Sequence, residues 1–301
     1  MNTININRNQ YVLITGATSG FGYEFAKLFA KNGYNLVLVA RNAERLQEMT
    51  DDLKQQFDIE ATPVSKDLFE INAAEEIYNL TKEMGITINI LVNDAGQGEY
   101  GKFAETELAR DLDIIHLNIV AVVSLTKYFL KDMVARNEGK ILQLGSEVSK
   151  SPMPMMAVYA ASKAFVLSFS EALVNELKDT NVTITTLMPG ASDTDFFRKA
   201  KAEDTKTYRE KHLAKPEEVA KTGYDAFMKG EERVITGAGA KTHVAIAALI
   251  PDSANAAGMR RQMEKSEKNA NEGRKQAEHA ASKIEREKIN AQTRATSGDY
   301  P

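Results

Sequence analysis

The chain has 301 residues, with 38 Lys and Arg against 42 Asp and Glu, so its formal net charge is −4. Hydrophobic residues make up 43%, enough for one large core, and the absence of cysteine excludes disulfides, thiolate nucleophiles and cysteine-ligated metals. The weakly acidic balance provides no basic field for nucleic acid or an anionic membrane, and only four histidines are present. We therefore predict no metal, no nucleic-acid partner and no membrane partner.

The N-terminal ten residues are polar and have no apolar stretch of the signal-peptide kind. The longest apolar runs, such as 244–251, are too short to span a bilayer. On these grounds we expect a cytoplasmic protein.

Short runs of aliphatic and β-branched residues recur through the first 190 residues. They are almost continuously apolar, as strands buried on both faces are, and they predict strands at 11–15, 36–39, 88–92, 140–144 and 182–187. Segments with helical spacing of apolar residues lie between them, and 108–133 predicts a long central helix. This alternation predicts an α/β domain over 1–251, a doubly wound Rossmann-type parallel sheet of about seven strands with helices on both faces.

The last fifty residues, 252–301, have a different composition. Their charge is nearly balanced, and large apolar residues are scarce after Met263. This composition predicts a charged C-terminal extension that is helical or disordered and solvated. A partner-binding or oligomerisation arm is the alternative, whereas the balanced charge argues against nucleic-acid binding by the extension.

A glycine-rich turn joins the first strand to the first helix, with Gly16, Gly20 and Gly22 in Gly-x-x-x-Gly-x-Gly spacing. Such glycines permit a tight turn and let the main chain approach a pyrophosphate, while the helix N-terminus offers free N–H groups. The spacing differs from the Gly-x-Gly-x-x-Gly dinucleotide fingerprint. Its position after the first strand still predicts a dinucleotide phosphate site.

The end of the second strand carries Ala40 followed by Arg41. An acidic residue here would accept hydrogen bonds from the ribose 2′-OH of NAD, whereas a guanidinium suits a 2′-phosphate. We therefore predict that NADP(H) is preferred over NAD(H), with Arg41 reading the 2′-phosphate. The alternative is that Arg41 is a surface residue at the start of a helix.

Tyr159 and Lys163 are four residues apart in a helical segment and so share one helix face. An ammonium beside a phenol stabilises the phenolate and lowers the tyrosine pKa from about 10 toward neutrality, which gives a usable acid or base. An ordinary surface pair is the alternative. The glycine-rich turn, Ser146 and Asn118 in the same chain favour catalysis.

Together these motifs resemble the short-chain dehydrogenase/reductase family, in its single-domain, NADP-preferring form. Ser146 precedes Tyr159 by 13 residues, the family's usual interval. The other matching positions are the turn 15–22, Asp67 and Leu68 after the third strand, Asn93-Asp94-Ala95-Gly96 after the fourth, Asn118 on the long helix, Pro189-Gly190 after the sixth strand, and Thr194.

The resemblance implies a catalytic set of four residues. Tyr159 would donate a proton to a carbonyl oxygen in reduction, or accept one in alcohol oxidation, and Lys163 would lower its pKa and bind the nicotinamide ribose. Ser146 would hydrogen-bond the substrate oxygen. Asn118 would hold a water that links Lys163 to solvent.

The resemblance also implies a set of residues that bind the cofactor, NADP(H). Asp94 replaces the family's second asparagine in this set of motifs, and we expect a modest effect on stability or cofactor affinity. The predicted cofactor-binding residues are Gly16, Ser19, Gly20, Phe21, Gly22, Arg41, Asp67, Leu68, Asn93, Ala95, Gly96, Tyr159, Lys163, Pro189, Gly190 and Thr194.

The predicted substrate side is a lid at 191–215, with Phe196 and Phe197, together with methionines at 153, 155 and 156. This apolar composition favours a small-to-medium carbonyl or alcohol substrate. A 3-oxoacyl-carrier-protein reductase is one alternative, because Arg198, Lys199 and Lys201 could dock an acidic carrier. A non-catalytic NADP(H)-sensing regulator or interaction protein is another. The resemblance implies a homodimer or homotetramer paired through the helices at 105–136 and 155–179.

Overall fold

The apolar runs of the sequence form strands buried on both faces, and every residue of Asn35–Ala40 is buried. The computed structural model describes residues 7–266. Its seven strands form one parallel sheet in the order β3-β2-β1-β4-β5-β6-β7. The strands are Tyr11–Thr15 (β1), Asn35–Ala40 (β2), Ala61–Ser65 (β3), Ile88–Asn93 (β4), Gly139–Leu144 (β5), Val182–Pro189 (β6) and Arg233–Thr236 (β7). The predicted doubly wound α/β fold is thus confirmed.

Helices connect successive strands and cover both faces of the sheet, as parallel strands require. They are Gly20–Lys31 (α1), Ala43–Phe57 (α2), Ala73–Glu83 (α3), Leu108–Ile115 (α4), Ala121–Ala135 (α5), Ala157–Glu176 (α6), Phe196–Lys199 (α7), Lys206–Glu210 (α8), Pro216–Met228 (α9), Ala238–Ala247 (α10) and Asp252–Met263 (α11).

Two apolar layers hold the helices on the sheet. On one face, α1, α2 and α9 pack through Phe29, Leu46 and Phe227, and the Phe29 ring meets the Phe227 ring edge to face. On the other face, α3 and α5 pack through Ile77 and Phe129. Each of these side chains is at most 3% exposed, so each contributes about 1.5–3 kcal/mol by burial.

The predicted central helix is continuous over 108–135 but contains one wider turn. Between α4 and α5, His116–Val120 forms a π-helical turn, which places Asn118 inside the molecule at 1% exposure. Such turns add one residue to the helical repeat and often occur at functional sites.

The helix α6 packs against β5 and β6 and carries Tyr159 and Lys163. Within residues 7–266 it is the one helix long and apolar enough to cross a membrane by length and composition alone. Core helices of soluble proteins pass the same test, and 33% of the apolar stretch of α6 is buried, where the helix packs on β5 and β6.

The beginning of the predicted extension is packed against the lid. Met259 and Met263 of α11 are buried in an apolar cluster with Phe197 and Met156. The chain after α11 continues this contact, because Thr205 and Lys265 form an antiparallel bridge. Residues 252–263 are therefore helical, one of the two predicted states, but one side of this helix is packed instead of solvated, whereas 267–301 lie outside the described residues.

Candidate active site

The strand order reverses between β1 and β4, because their crossover helices leave on opposite faces of the sheet. In such folds this reversal opens a crevice at the carboxyl ends of the strands. A cavity of about 640 Å³ lies there. It is lined by fifteen of the predicted site residues: Gly16, Ser19, Gly20, Phe21, Arg41, Asp67, Leu68, Ala95, Gly96, Ser146, Tyr159, Lys163, Pro189, Gly190 and Thr194.

Three predicted site residues lie behind the cavity wall instead: Gly22, Asn93 and Asn118. The Asn93 amide nitrogen donates to Thr126 Oγ1 at 3.1 Å and to Gln143 Oε1 at 3.0 Å, so this side chain joins β4 to α5 and β5. Its contacts are structural, and they leave its predicted role in cofactor binding without a direct route.

The glycine-rich turn has the geometry that its sequence predicts. Gly16 has φ +70°, and a Cβ there would lie 3.0 Å from the Ala95 Cα. Gly22 has even less room, since a Cβ would lie 2.5 Å from the Gly16 carbonyl oxygen. Ser19 precedes α1 without a side-chain cap, which leaves the first N–H groups of the helix facing the cavity for an anion.

Arg41 directly follows β2 and lies at the edge of the same cavity. Its guanidinium lies 3.6 Å from Asp67 Oδ2 and 5.1 Å from the centre of the Phe69 ring, although the side chain is 51% exposed. Arg45 of α2 and Lys199 of α7 line this end as well, and Lys199 Nζ lies 3.4 Å from Ser19 Oγ. Cationic side chains therefore cluster around the phosphate-binding turn.

Tyr159, Lys163 and Ser146 face the other end of the cavity. The Tyr159 ring packs on Phe196 with centroids 4.8 Å apart. Lys163 Nζ donates to the Leu144 carbonyl oxygen at 2.8 Å and lies 5.9 Å from the centre of the Tyr159 ring. Ser146 caps a short 3-10 helix, Glu147–Lys150, whose Val148 N–H donates to Ser146 Oγ at 3.3 Å.

The electrostatics of this group differ from the expectation. Burial raises the pKa of Tyr159 to about 12, the Ser146 side chain lowers it, and the charge of Glu147 raises it further. Burial also lowers the pKa of Lys163 to about 8, against the opposing charge of Asp94. The prediction that Lys163 brings the tyrosine pKa toward neutrality is wrong for this arrangement, because burial of the phenol dominates.

Both polar atoms of the Asn118 amide form hydrogen bonds within the protein. Its Oδ1 accepts from Gln97 N at 3.0 Å, and its Nδ2 donates to Gln97 O and to Ser162 Oγ, each at 2.9 Å. These bonds fasten the loop after β4 to α6. A Cβ on Gly96 would lie only 3.2 Å from Lys163 Nζ, so the loop and the lysine fit closely.

Asp94 is buried beneath the glycine-rich turn, at 9% exposure. Its carboxylate accepts from the Gly22 N–H, which explains why the cavity does not reach Gly22. Its Oδ1 has no hydrogen-bond partner among the described residues. Burial raises the pKa of Asp94 to about 7, and the positive charge of Lys163 opposes this rise.

Several residues that line the cavity escaped the sequence analysis. Arg45 and Glu147 each had a local signal, since one lies a helical turn after Arg41 and the other directly follows Ser146. Met259 and Gln262 had none, because nothing in a polar C-terminal segment indicates contact with a lid. Across residues 7–266, no group of three His, Cys, Asp or Glu side chains is placed to hold a metal.

Comparison with known proteins matches this arrangement to one family. A family model described as short chain dehydrogenase matches residues 10–205. The very-long-chain 3-oxoacyl-CoA reductase of Rattus norvegicus is 31% identical over 60% of this chain and 58% of its own length. The 17-beta-hydroxysteroid dehydrogenase type 3 of Mus musculus is 33% identical over 66% of this chain and 65% of its own length. The chain thus spans less than two thirds of these relatives.

A solved short-chain dehydrogenase from Sphingobium yanoikuyae, in complex with NADPH, superposes with a TM-score of 0.72. It is 28% identical to this chain, and the superposition covers 80% of this chain and 93% of the neighbour. The fold, the order of the motifs and the family model over residues 10–205 all indicate the same family. The chain therefore belongs to the short-chain dehydrogenase family of oxidoreductases, the family that its motifs resemble.

Proposed function

We propose that the protein transfers hydride between NADP(H) and a small-to-medium carbonyl or alcohol, with Tyr159 as acid or base. The observation that carries this proposal is the single cavity that joins the glycine-rich turn to Ser146, Tyr159 and Lys163. Oxidoreductase chemistry follows from the family, and the finer assignment follows from these residues.

The cavity fits a nicotinamide dinucleotide. At one end, Gly16 leaves open the space that a Cβ would fill, and the uncapped start of α1 offers N–H groups for phosphate. Gly96, Pro189 and Gly190 line the way to the catalytic end. When bound there, the nicotinamide ring supplies or accepts the hydride.

The preference for NADP(H) rests on charge at the end of β2. Solved members of the fold hold NADPH or NAD, so the fold alone does not distinguish the two. Here Ala40 stands at the strand end, and Arg41 and Arg45 line the cavity beside it. A 2′-phosphate would form charge-assisted hydrogen bonds with these guanidinium groups. Asp67, already paired with Arg41, would have to share that arginine.

The raised pKa of Tyr159 indicates how the chain handles its proton. A phenol with a pKa of about 12 keeps its proton at neutral pH and is ready to donate it to a substrate oxygen. Ser146 lines the same space, so its hydroxyl can hold that oxygen while the proton moves. Proton donation supports the reduction direction at neutral pH, and oxidation gains as the pH rises.

The substrate wall is mostly apolar. Met153, Met156, Phe196 and Phe197 line it, which supports a carbonyl compound with an apolar body. The alternative acyl-carrier substrate needs a free basic patch on the lid. Arg198, however, pairs with Asp195 at 3.0 Å, and Lys201 pairs with Glu99 at 2.7 Å. Lys199, the third basic residue, lies beside Ser19 in the cavity, and so free carbonyl compounds are favoured over a protein-bound acyl group.

We also propose a cytoplasmic homodimer or homotetramer. Apolar side chains of the long helix face solvent, and α6 adds Phe165 at 38% exposure. The long-helix residues are Leu108, Leu112, Ile115 and Val120, each at least 36% exposed. Apolar side chains clustered on two long helices are typical of a protein–protein interface. Sedimentation of the purified protein tests this assembly, and a monomer at micromolar concentration would contradict it.

The first test is a parallel titration with NADPH and NADH, followed by energy transfer from tyrosine because the chain has no tryptophan. Tighter binding of NADPH, together with NADPH-dependent reduction in a carbonyl screen, is the expected result. Preference for NADH would overturn the role given to Arg41. Binding without turnover of any carbonyl compound would favour the NADP(H)-sensing regulator.

A further inference from the structure

Glu147 places a carboxylate at the substrate end of the cavity. It directly follows Ser146 and lines the same space as Ser146 and Tyr159, with a side chain only 15% exposed. Its oxygen Oε1 lies 3.7 Å from the position of a Cβ on Gly190. The negative charge therefore lies close to the reacting groups, and it contributes to the raised pKa of Tyr159.

A chain of hydrogen bonds holds this carboxylate in place from outside the cavity. Glu147 Oε2 lies 3.2 Å from His243 Nδ1, and His243 Nε2 lies 3.1 Å from Ser151 Oγ. Asn255 Nδ2 donates to the same Ser151 oxygen at 3.0 Å. A neutral imidazole satisfies every atom if Nδ1–H donates to Glu147 and Nε2 accepts from the Ser151 hydroxyl. Helices α10 and α11 thus position Glu147.

One oxygen of Glu147 is left for a ligand. Oε1 has no hydrogen-bond partner among residues 7–266, and no Lys or Arg in that range lies within ion-pair distance of the carboxylate. The apolar side chains of Met153, Met156 and Phe196 line the same cavity, together with the hydroxyls of Ser146 and Tyr159. A carboxylate oxygen that faces this cavity can accept from a donor or a cation of a bound ligand.

The two ends of the cavity also differ in charge. Arg41, Arg45 and Lys199 lie at the phosphate end together with Asp67 and Asp195, whereas Glu147 and Lys163 lie at the substrate end. The carboxylate of Glu147 therefore disfavours an anionic group beside it and favours a positively charged or hydroxyl-bearing one.

We infer that Glu147, positioned by His243, anchors a substrate that carries a hydrogen-bond donor, best a protonated amine, near the reacting carbon. This inference rests on the proposed function. It narrows the substrate class to amino alcohols and amino ketones, which should be preferred over their carboxylate analogues. The amine would donate to Oε1 while Ser146 and Tyr159 bind the reacting oxygen.

Three alcohols of nearly one shape test the inference. Phenylethanolamine carries an ammonium, α-methylbenzyl alcohol is neutral and mandelate carries a carboxylate at the same position. We would measure kcat/KM for oxidation of each with saturating oxidised cofactor, in the wild type and in Glu147→Gln. The quantity compared is the ratio of kcat/KM for phenylethanolamine to that for mandelate.

In the wild type the ratio favours the amine, and Glu147→Gln lowers it by about tenfold to a hundredfold, the usual effect of losing a charge-assisted hydrogen bond. His243→Asn keeps the Glu147 carboxylate but removes the imidazole that positions it. The ratio should therefore fall by less than in Glu147→Gln. Glu218→Gln is the matched control, because this glutamate is exposed on α9, with a side chain 73% accessible. Thermal melting confirms that each variant is folded.

Two outcomes overturn the inference, and they are distinguishable. If α-methylbenzyl alcohol is oxidised but the ratio changes by no more than in Glu218→Gln, Glu147 does not anchor an amine while the proposed function stands. If the wild type oxidises none of the three alcohols and reduces none of their ketones, the proposed function fails and the inference fails with it.

Discussion

The two halves of the cavity are built in different ways. The phosphate end is made mainly by residues close in sequence, since the glycine-rich turn and Arg41 follow the adjacent strands β1 and β2, and Lys199 is the distant addition. The substrate end is assembled from distant segments: the 3-10 helix after β5, the lid, and α11 with Met259. Motifs can therefore identify the first half and the predicted catalytic residues of the second, whereas only tertiary contacts reveal Met259 and Gln262 in its wall.

The largest effect is expected from removing the proposed proton donor of the substrate end. We expect Tyr159→Phe to lower kcat by about a hundredfold to ten-thousandfold, because in the proposed function the phenol acts as general acid. The affinity for NADPH should change little, since the phosphate end is untouched. Stopped-flow turnover with parallel cofactor titration measures both. Full activity in this variant would exclude Tyr159 as the acid.

The next test asks whether the substrate end can be destabilised without the phosphate end. Met263 is fully buried where α11 meets the lid. Met263→Ala should therefore lower the free energy of unfolding, or that of local opening of the lid, by about 2–5 kcal/mol. We expect KM for the substrate to rise while the Kd for the cofactor is unchanged. Met84→Ala, at an exposed position, is the control. Equal loss of cofactor binding would show that the halves are not independent.

Arg41→Ala addresses the phosphate end. Loss of a charge-assisted contact should weaken NADPH binding by about tenfold to a hundredfold and leave NADH binding nearly unchanged. Arg8→Ala provides a control, because Arg8 is an exposed arginine paired with Asp58 far from the cavity. An equal effect on both cofactors would mean that Arg41 does not read a 2′-phosphate.

The smallest effect on catalysis concerns Asp94, which acts on the pH dependence of stability. Folding raises its pKa from 3.8 to about 7, so the native state binds more protons than the unfolded state between these values. The free energy of unfolding should therefore decrease as the pH rises through this window. Asp94→Asn should flatten this decrease and change kcat only modestly. Urea denaturation at several pH values measures the slope, and an unchanged slope would contradict the assignment.

The fold was predictable because buried parallel strands leave a continuous apolar signal, as in Leu36–Val39, and because Pro189 and Gly190 follow the sixth strand as expected. Asn93 and Asn118 were harder to assign. Their spacing matched the family, but amide side chains also satisfy buried acceptors, and the bonds that Asn93 donates to Thr126 and Gln143 do this. The pKa of Tyr159 was mispredicted because spacing says nothing about desolvation.

The lid and the segment that follows α11 cannot move separately without breaking main-chain bonds. Lys206 N donates to Glu264 O at 2.9 Å, and Ser266 N donates to Asp204 O at 2.7 Å. Each such bond contributes about 0.5–1.5 kcal/mol of stability, so a lid that opened alone would lose the stabilisation from both bonds. We therefore expect opening of the lid to carry the C-terminal segment with it. The rate at which product leaves would then depend partly on residues 264–266, which lie outside the predicted catalytic set.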